Sequence, residues 1–295
     1  MSDFQKILIN FRPRHEFLIA IDSDGCAFDT MEIKHKECFI PNIIKYWNLQ
    51  AVSKYARAAA EFVNLYSKWR GINRFPALIK TFDLLKQWPA VTRRVALIPE
   101  ARSLREWIHR ETKLGNPALR EEVEKSRDPE LRLVLEWSEA VNRAVAEMVH
   151  GIPPFPFVRE SLEEISRWAD IIVCSATPIE ALEREWEEHR LADYVRVIAG
   201  QEMGSKREHI RLAAQGKYSP KKVLMIGDAP GDMKAAQVNN ACFFPVNPGE
   251  EELSWKAFYE EGAEKFRRGI FRKEYETQLI SAFQRHLPEK PPWEK

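Results

Sequence analysis

FLIAIDSDG, residues 17–25, is a short apolar run that ends in two acids and a glycine. Its apolar part has no alternating polar positions. That is how a strand reads when both of its faces are buried, as in a parallel sheet covered by helices. In open sheets of that kind, ligands bind beyond the carboxyl ends of the strands. Asp22-Ser23-Asp24-Gly25 is therefore where chemistry is to be sought first.

The same texture returns from residue 151. After a Pro-rich connection, GIPPFPFV (151–158), four further runs read as strands: ADIIVCSA (169–176), YVRVIAG (194–200), KKVLMIGD (221–228) and ACFFPV (241–246). Between them, 158–168, EALEREWEEHR (180–190), KREHIRLAAQG (206–216) and MKAAQVNN (233–240) read as helices. Short strands alternating with helices predict an α/β fold, a Rossmann-like doubly wound parallel sheet that the strand at 17–22 joins.

Residues 30–150 have a different character. Apolar residues recur every three or four positions in AVSKYARAAAEFVNLYSKWR (51–70) and DPELRLVLEWSEAVNRAVAEMV (128–149), and no strand pattern interrupts them. Gly71, Gly115 and Gly151 read as helix stops and Asp128-Pro129 as a helix start. The expected organisation is a catalytic core of 1–29 and 151–250, an all-helical inserted domain of 30–150, and a charged, aromatic, helical extension of 251–295.

Composition narrows the function classes. Lys plus Arg is 45 and Asp plus Glu is 44, so the net charge of +1 gives no electrostatic case for nucleic acid or an acidic membrane. No apolar stretch approaches the roughly 20 residues of a membrane helix, and MSDFQKILINFRPRHE has no secretory leader pattern. Cys26, Cys38, Cys174 and Cys242 show no CxxC or zinc-like spacing, and Cys174 and Cys242 sit in strand-like runs as core residues. A cytoplasmic protein with no membrane or nucleic-acid partner is expected; the oligomeric state is not legible.

Three strand ends deliver polar groups to one edge of the sheet: Asp22-Ser23-Asp24-Gly25, Ser175-Ala176-Thr177-Pro178, and Gly227-Asp228 with Asp232 four residues on. Lys206 stands nearby, at a helix start capped by Ser205. Clustered carboxylates repel one another and are costly to desolvate, and a divalent cation relieves both. Magnesium suits carboxylate oxygens and bridges to phosphate. A carboxylate in that setting can act as a nucleophile, and a second acid two residues later can serve as general acid and base. Alone, each element has a plainer reading: a turn, a strand-end hydroxyl, a surface lysine, or a helix cap at Asp232.

Taken in order, these residues resemble the four motifs of the haloacid dehalogenase superfamily, over roughly 17–30 and 155–246. The resemblance implies that Asp22 is the nucleophile, that Asp24 is the general acid/base, and that Ser175 and Lys206 bind the phosphoryl group. It also implies magnesium held by the Asp22 carboxylate, the Asp24 backbone carbonyl and Asp228, with Asp232 acting through water. Residues 30–150 would be a helical cap domain. Cys26 stands where Thr or Val is more usual, and the extension after 250 matches nothing in the family pattern.

Asp24 favours a phosphatase over a dehalogenase, because an oxygen leaving group needs a proton. The expected partner is a small phosphorylated substrate. A phosphomutase of the same superfamily and a non-catalytic phosphate-binding or scaffold module are the alternatives. In the insert, Lys68, Arg70 and Arg74 surround Gly71 and are candidates for a second anionic group on the substrate, against a plainer reading as a solvated basic turn. At the entry to the insert, Asp29 or Thr30 reads as a helix cap.

Overall fold

Five parallel strands, β1 (Phe17–Ile21), β2 (Ala169–Cys174), β3 (Val197–Ala199), β4 (Val223–Gly227) and β5 (Cys242–Pro245), lie in the order β3-β2-β1-β4-β5. The computed structural model describes residues 3–94, 96–272 and 274–294. The chain forms two units: Met1–Thr30 with Gly151–Leu287, which contains the sheet, and Met31–His150 with Pro288–Lys295, which is helical. Residues 251–295 are thus divided between the two units rather than standing apart.

The register explains the unbroken apolar run of β1. Ile19 and Ile21 enter the core on one face with Trp186, Trp255 and Phe244, while Leu18 and Ala20 enter the core on the other with Ile210, Ala235 and Phe283. Both faces are covered, so neither set of alternate positions can be polar. β1 is central, pairing Ile21 with Val173 on one side and with Ile226 on the other. The strand order runs outward from β1 to β2 and β3 on one side and to β4 and β5 on the other, so the carboxyl ends of β1 and β4 flank the topological switch point of the sheet.

At the opposite end of the sheet, the buried Asp170 carboxylate ties down the segment that precedes β1. Its Oδ2 accepts from the backbone N–H groups of Arg14 (2.8 Å) and His15 (3.0 Å) and from the Tyr218 hydroxyl (2.7 Å), and its Oδ1 pairs with Arg196 at 2.6 Å.

After residue 250, helical segments cover 251–267 and Glu274–His286, and much of their apolar surface builds the sheet unit. Trp255, Phe258, Phe266 and Phe271 join one core face and Phe283 the other, and Glu276 accepts the β5 backbone N–H of Phe243 at 2.8 Å.

In the helical unit, Asp128 caps the Pro129–Met148 helix by accepting from Glu130 and Leu131. Two details differ from the sequence pattern. The helix expected through Arg70 ends at Asn64. There the Ser67 hydroxyl donates to the Val63 carbonyl and the Arg70 guanidinium to the Leu65 carbonyl, which relieves the backbone of the helical pattern. Gly115 precedes the Asn116–Ser126 helix rather than stopping one, with Pro117 in that helix's first turn. The tail belongs here: Trp293 stacks on Trp88 with ring centroids 4.0 Å apart, and the Lys68 backbone N–H donates to the Pro288 carbonyl at 3.2 Å. Among the described residues, no helix is long and apolar enough to cross a membrane.

Candidate active site

The site begins where β1 runs out. The Asp22 N–H donates to the Ile226 carbonyl at 3.0 Å, so the ladder between β1 and β4 continues one residue into the loop. Asp228 directly follows β4. Asp232 lies on the first turn of the Pro230–Val238 helix, where its Oδ2 accepts the Ala229 N–H at 3.1 Å. The helix-cap reading of Asp232 therefore holds, and the same carboxylate also joins a cluster. Ligand oxygens of Asp22, Asp228 and Asp232 lie within 4.8 Å of one another. Lys206 opens the Lys206–Ala214 helix, which starts with a capping box between Ser205 and Glu208. Its Nζ lies 2.6 Å from Asp22 Oδ2 and 2.6 Å from Asp232 Oδ1.

These groups are almost wholly out of water: Asp22 is 4% exposed, Asp228 1% and Asp232 0%. Burial pushes the Asp22 carboxyl well above the ordinary range; Lys206 opposes this, while Asp232 and Asp228 add to it. Asp232 is raised for the same leading reason, burial, with Lys206 opposing. Burial alone would lower Lys206, but the three carboxylates outweigh it and hold the ammonium protonated. Fully ionised, three carboxylates and one ammonium carry −3 + 1 = −2. A dication neutralises that sum, and an all-oxygen donor set matches magnesium. The residues fit the ion.

Asp24 is held differently. Its Oδ1 accepts from the Thr30 hydroxyl at 2.5 Å and its Oδ2 from the Thr177 hydroxyl at 2.7 Å. Thr30, read from the sequence with Asp29 as a candidate helix cap, opens the Thr30–Ile33 helix and gives its hydroxyl to this carboxylate. Ser175 extends β2: its N–H donates to the Ala199 carbonyl at 2.9 Å, and its Oγ accepts from the Thr177 N–H at 3.1 Å. An oxygen that accepts in this way still has its own proton to donate. Gly25, with φ of 74°, makes the turn that follows the acids.

The loop is gripped from outside as well. The Trp186 indole donates to Ser23 Oγ at 2.9 Å, Ser23 Oγ donates to Glu185 Oε2 at 3.0 Å, and the Trp255 indole donates to the Cys26 carbonyl at 2.7 Å. Sequence reasoning assigned none of Thr177, Glu185, Trp186 or Trp255 to the site. Thr177 had a signal, a hydroxyl two residues beyond a strand-end serine. The tryptophans had none, since their positions match ordinary core spacing.

Lys68, Arg70 and Arg74 are engaged inside the helical unit. Lys68 pairs with Glu289 and lies over the Trp69 ring. Arg70 is 3% exposed and donates to the Leu65 carbonyl at 2.9 Å. Arg74 donates to Ser138 Oγ at 3.0 Å and to Asn142 Oδ1 at 2.7 Å, and burial lowers its pKa to about 10. Arg70 is thus buried and Arg74 half-buried, each donating to carbonyl, hydroxyl or amide oxygens within the unit.

Residues 107–246 match the haloacid dehalogenase-like hydrolase family. No curated protein matches the sequence. Among solved structures, the chain is similar to a haloacid dehalogenase-like family hydrolase from Streptococcus pneumoniae, at 13% identity over 81% of this chain and 90% of that one, with a TM-score of 0.46. A predicted phosphoglycolate phosphatase from Haemophilus somnus matches at 14% identity over 80% and 88%, with a TM-score of 0.45. A Bacillus subtilis hydrolase of this family, bound to magnesium, matches at 11% identity over 80% and 88%, with a TM-score of 0.44.

Proposed function

We propose that this chain is a haloacid dehalogenase-like hydrolase that cleaves a phosphate monoester with magnesium through a phosphoryl group carried on Asp22. The observation that best supports this reading is the buried cluster of Asp22, Asp228 and Asp232 with Lys206 set 2.6 Å from two of the three. Such a cluster is wasteful as a structural device, because buried like charges destabilise a fold. It is apt for holding a dication and a phosphoryl group.

Magnesium, held by the Asp22 and Asp228 carboxylates and the Asp24 carbonyl, with Asp232 through water, would supply charge neutralisation for the phosphoryl oxygens. Lys206 and the Ser175 hydroxyl bind those oxygens. The Asp22 carboxylate attacks phosphorus, the bond to the ester oxygen breaks, and Asp24 gives that oxygen its proton. Water then attacks the same phosphorus. Asp24 takes the water's proton, phosphate departs, and the Asp22 carboxylate is restored. Thr30 and Thr177 keep Asp24 oriented between the two transfers.

Hydrolysis of p-nitrophenyl phosphate by the purified protein, with and without magnesium and beside Asp22→Asn, tests the reading. Turnover that needs magnesium and disappears in the variant is expected. Turnover that persists in Asp22→Asn would overturn the nucleophile, and a wild type inert toward aryl phosphates would count against the hydrolase reading.

A further inference from the structure

Ser23 stands between the two acids of the loop, and it is 0% exposed. Its carbonyl accepts the N–H groups of Ala27 (2.9 Å), Phe28 (3.0 Å) and Cys26 (3.3 Å), so one oxygen anchors the whole turn. Its N–H donates to Asp22 Oδ1 at 2.8 Å, which fixes the carboxylate that also meets Lys206. The orientation of Ser23 therefore sets that of Asp22 on one side and of Asp24 on the other.

The Ser23 hydroxyl is fully committed. It has one proton to give, and it gives it to Glu185; it accepts the Trp186 indole N–H. Together Glu185 and Trp186 fix the rotamer of Ser23. Both partners lie in the last half of the Ile179–Glu188 helix. Two residues before that helix, Thr177 donates to Asp24, and at its start the Ile179 N–H donates to Glu202 at 3.1 Å. The helix and the turn that leads into it thus grip the acid loop at two points, Ser23 and Asp24. Trp186 is itself fixed, buried edge-on against Phe28 with ring centroids 5.6 Å apart.

We infer that Glu185 and Trp186 are positioning residues for the Asp22–Asp24 pair, acting through the Ser23 hydroxyl. The inference rests on the hydrolase reading above. Both bind the Ser23 hydroxyl. They hold Ser23 so that the oxygens of Asp22 remain available to Lys206, the metal and phosphorus.

The test uses the full chain with Ser23→Ala, Glu185→Ala, Glu185→Gln, Trp186→Phe and the double variant Ser23→Ala/Glu185→Ala. Three readouts are taken: kcat and KM on p-nitrophenyl phosphate with magnesium, the magnesium Kd by calorimetry without substrate, and Tm. Misplacing a reacting group by a fraction of an ångström costs about tenfold. Glu185→Ala should therefore lose about that in kcat with KM and Tm little changed, and the magnesium Kd should rise severalfold. The double variant should lose no more than either single change, because both remove one interaction. Glu185→Gln should recover most of the activity, since its amide oxygen still accepts the serine proton, and Trp186→Phe should resemble Ser23→Ala. Unchanged kcat and Kd in Glu185→Ala, additive losses in the double variant, or losses that track Tm would each overturn the inference. If the wild type binds magnesium but turns over no aryl phosphate, the hydrolase reading fails separately and the Kd series decides the positioning role. A wild type that does neither overturns both.

Discussion

Gly227 and Asp232 are pressed together: a Cβ placed on Gly227 would lie 2.5 Å from Cβ of Asp232 and 2.6 Å from its Oδ2. The glycine at the end of β4 is there because the next turn folds a carboxylate back over it. Gly227→Ala should displace Asp232 from Lys206 while leaving β4 in place. We expect a loss of kcat on the order of a hundredfold, roughly what ångström-scale misplacement costs, together with weaker magnesium binding. Kinetics and calorimetry on the variant check this. Normal magnesium affinity would show that Asp232 is not part of the ion's site.

Asp24→Asn separates proton transfer from metal binding. Only the backbone carbonyl of Asp24 is assigned to the ion, so magnesium affinity should stay near wild type. General acid–base catalysis is worth roughly a hundredfold to ten-thousandfold, and the loss should be larger for an alkyl phosphate than for p-nitrophenyl phosphate, whose leaving oxygen needs little help. Equal losses on both substrates would remove Asp24 from the acid role.

His209 sits one helical turn after Lys206 and is fully buried. Burial, aided by the charge of Lys206, lowers its pKa to about 4. The imidazole is therefore neutral in the fold at neutral pH. As pH falls below about 6.5 the unfolded chain takes up this proton first, so stability is present above that value and is lost down to about pH 4. Between pH 8 and pH 5 the loss should be about 2 kcal/mol. Asp22 and Asp232, raised in the fold, act in the opposite sense, since their contribution fades as pH rises through their folded values. Urea unfolding of the wild type beside His209→Met isolates the histidine. Parallel pH profiles for the two proteins would contradict the assignment.

Trp293 closes the helical unit. It stacks on Trp88 and meets the edge of Phe62 at 5.7 Å between centroids. Trp293→Ala should cost about 1 kcal/mol from the lost ring contacts alone and should increase cleavage of the helical unit in limited proteolysis. Magnesium binding should not move, because every assigned ligand lies in the sheet unit. Unaltered proteolysis would mean that the tail contributes nothing to that unit.

Strand identity and most of the acid cluster were open to sequence reasoning for a simple reason. A strand buried on both faces is apolar along its run, so its carboxyl end is marked where polar residues resume, and the sheet topology then gathers such ends at one edge. FLIAID and VLMIGD both carry that mark. Ser205 and Glu208 announce the helix that carries Lys206 through their capping spacing. The helical insert was equally legible as a change of period, but the point where a helix inside it ends was not. Side chains such as Ser67 and Arg70 stop a helix by taking its carbonyls, and their spacing carries no sign of that.

The supports of the site were decided in three dimensions. Residues such as Thr177, Trp186 and Trp255 act on Asp24, Ser23 and Cys26 across more than a hundred positions of sequence. Thr177 carries only its spacing from Ser175 as a signal, and the tryptophans have an ordinary local role in the core, so local pattern cannot single them out. Lys68, Arg70 and Arg74 make the same point in reverse: their closeness in sequence suggested a shared task, and folding gave each its own partner. The sequence by itself determined which residues end the buried strands, because burial constrains composition one position at a time. Only the tertiary structure decided which donors and acceptors hold those ends in place, because a hydrogen bond is a relation between two positions and leaves no trace in either one alone.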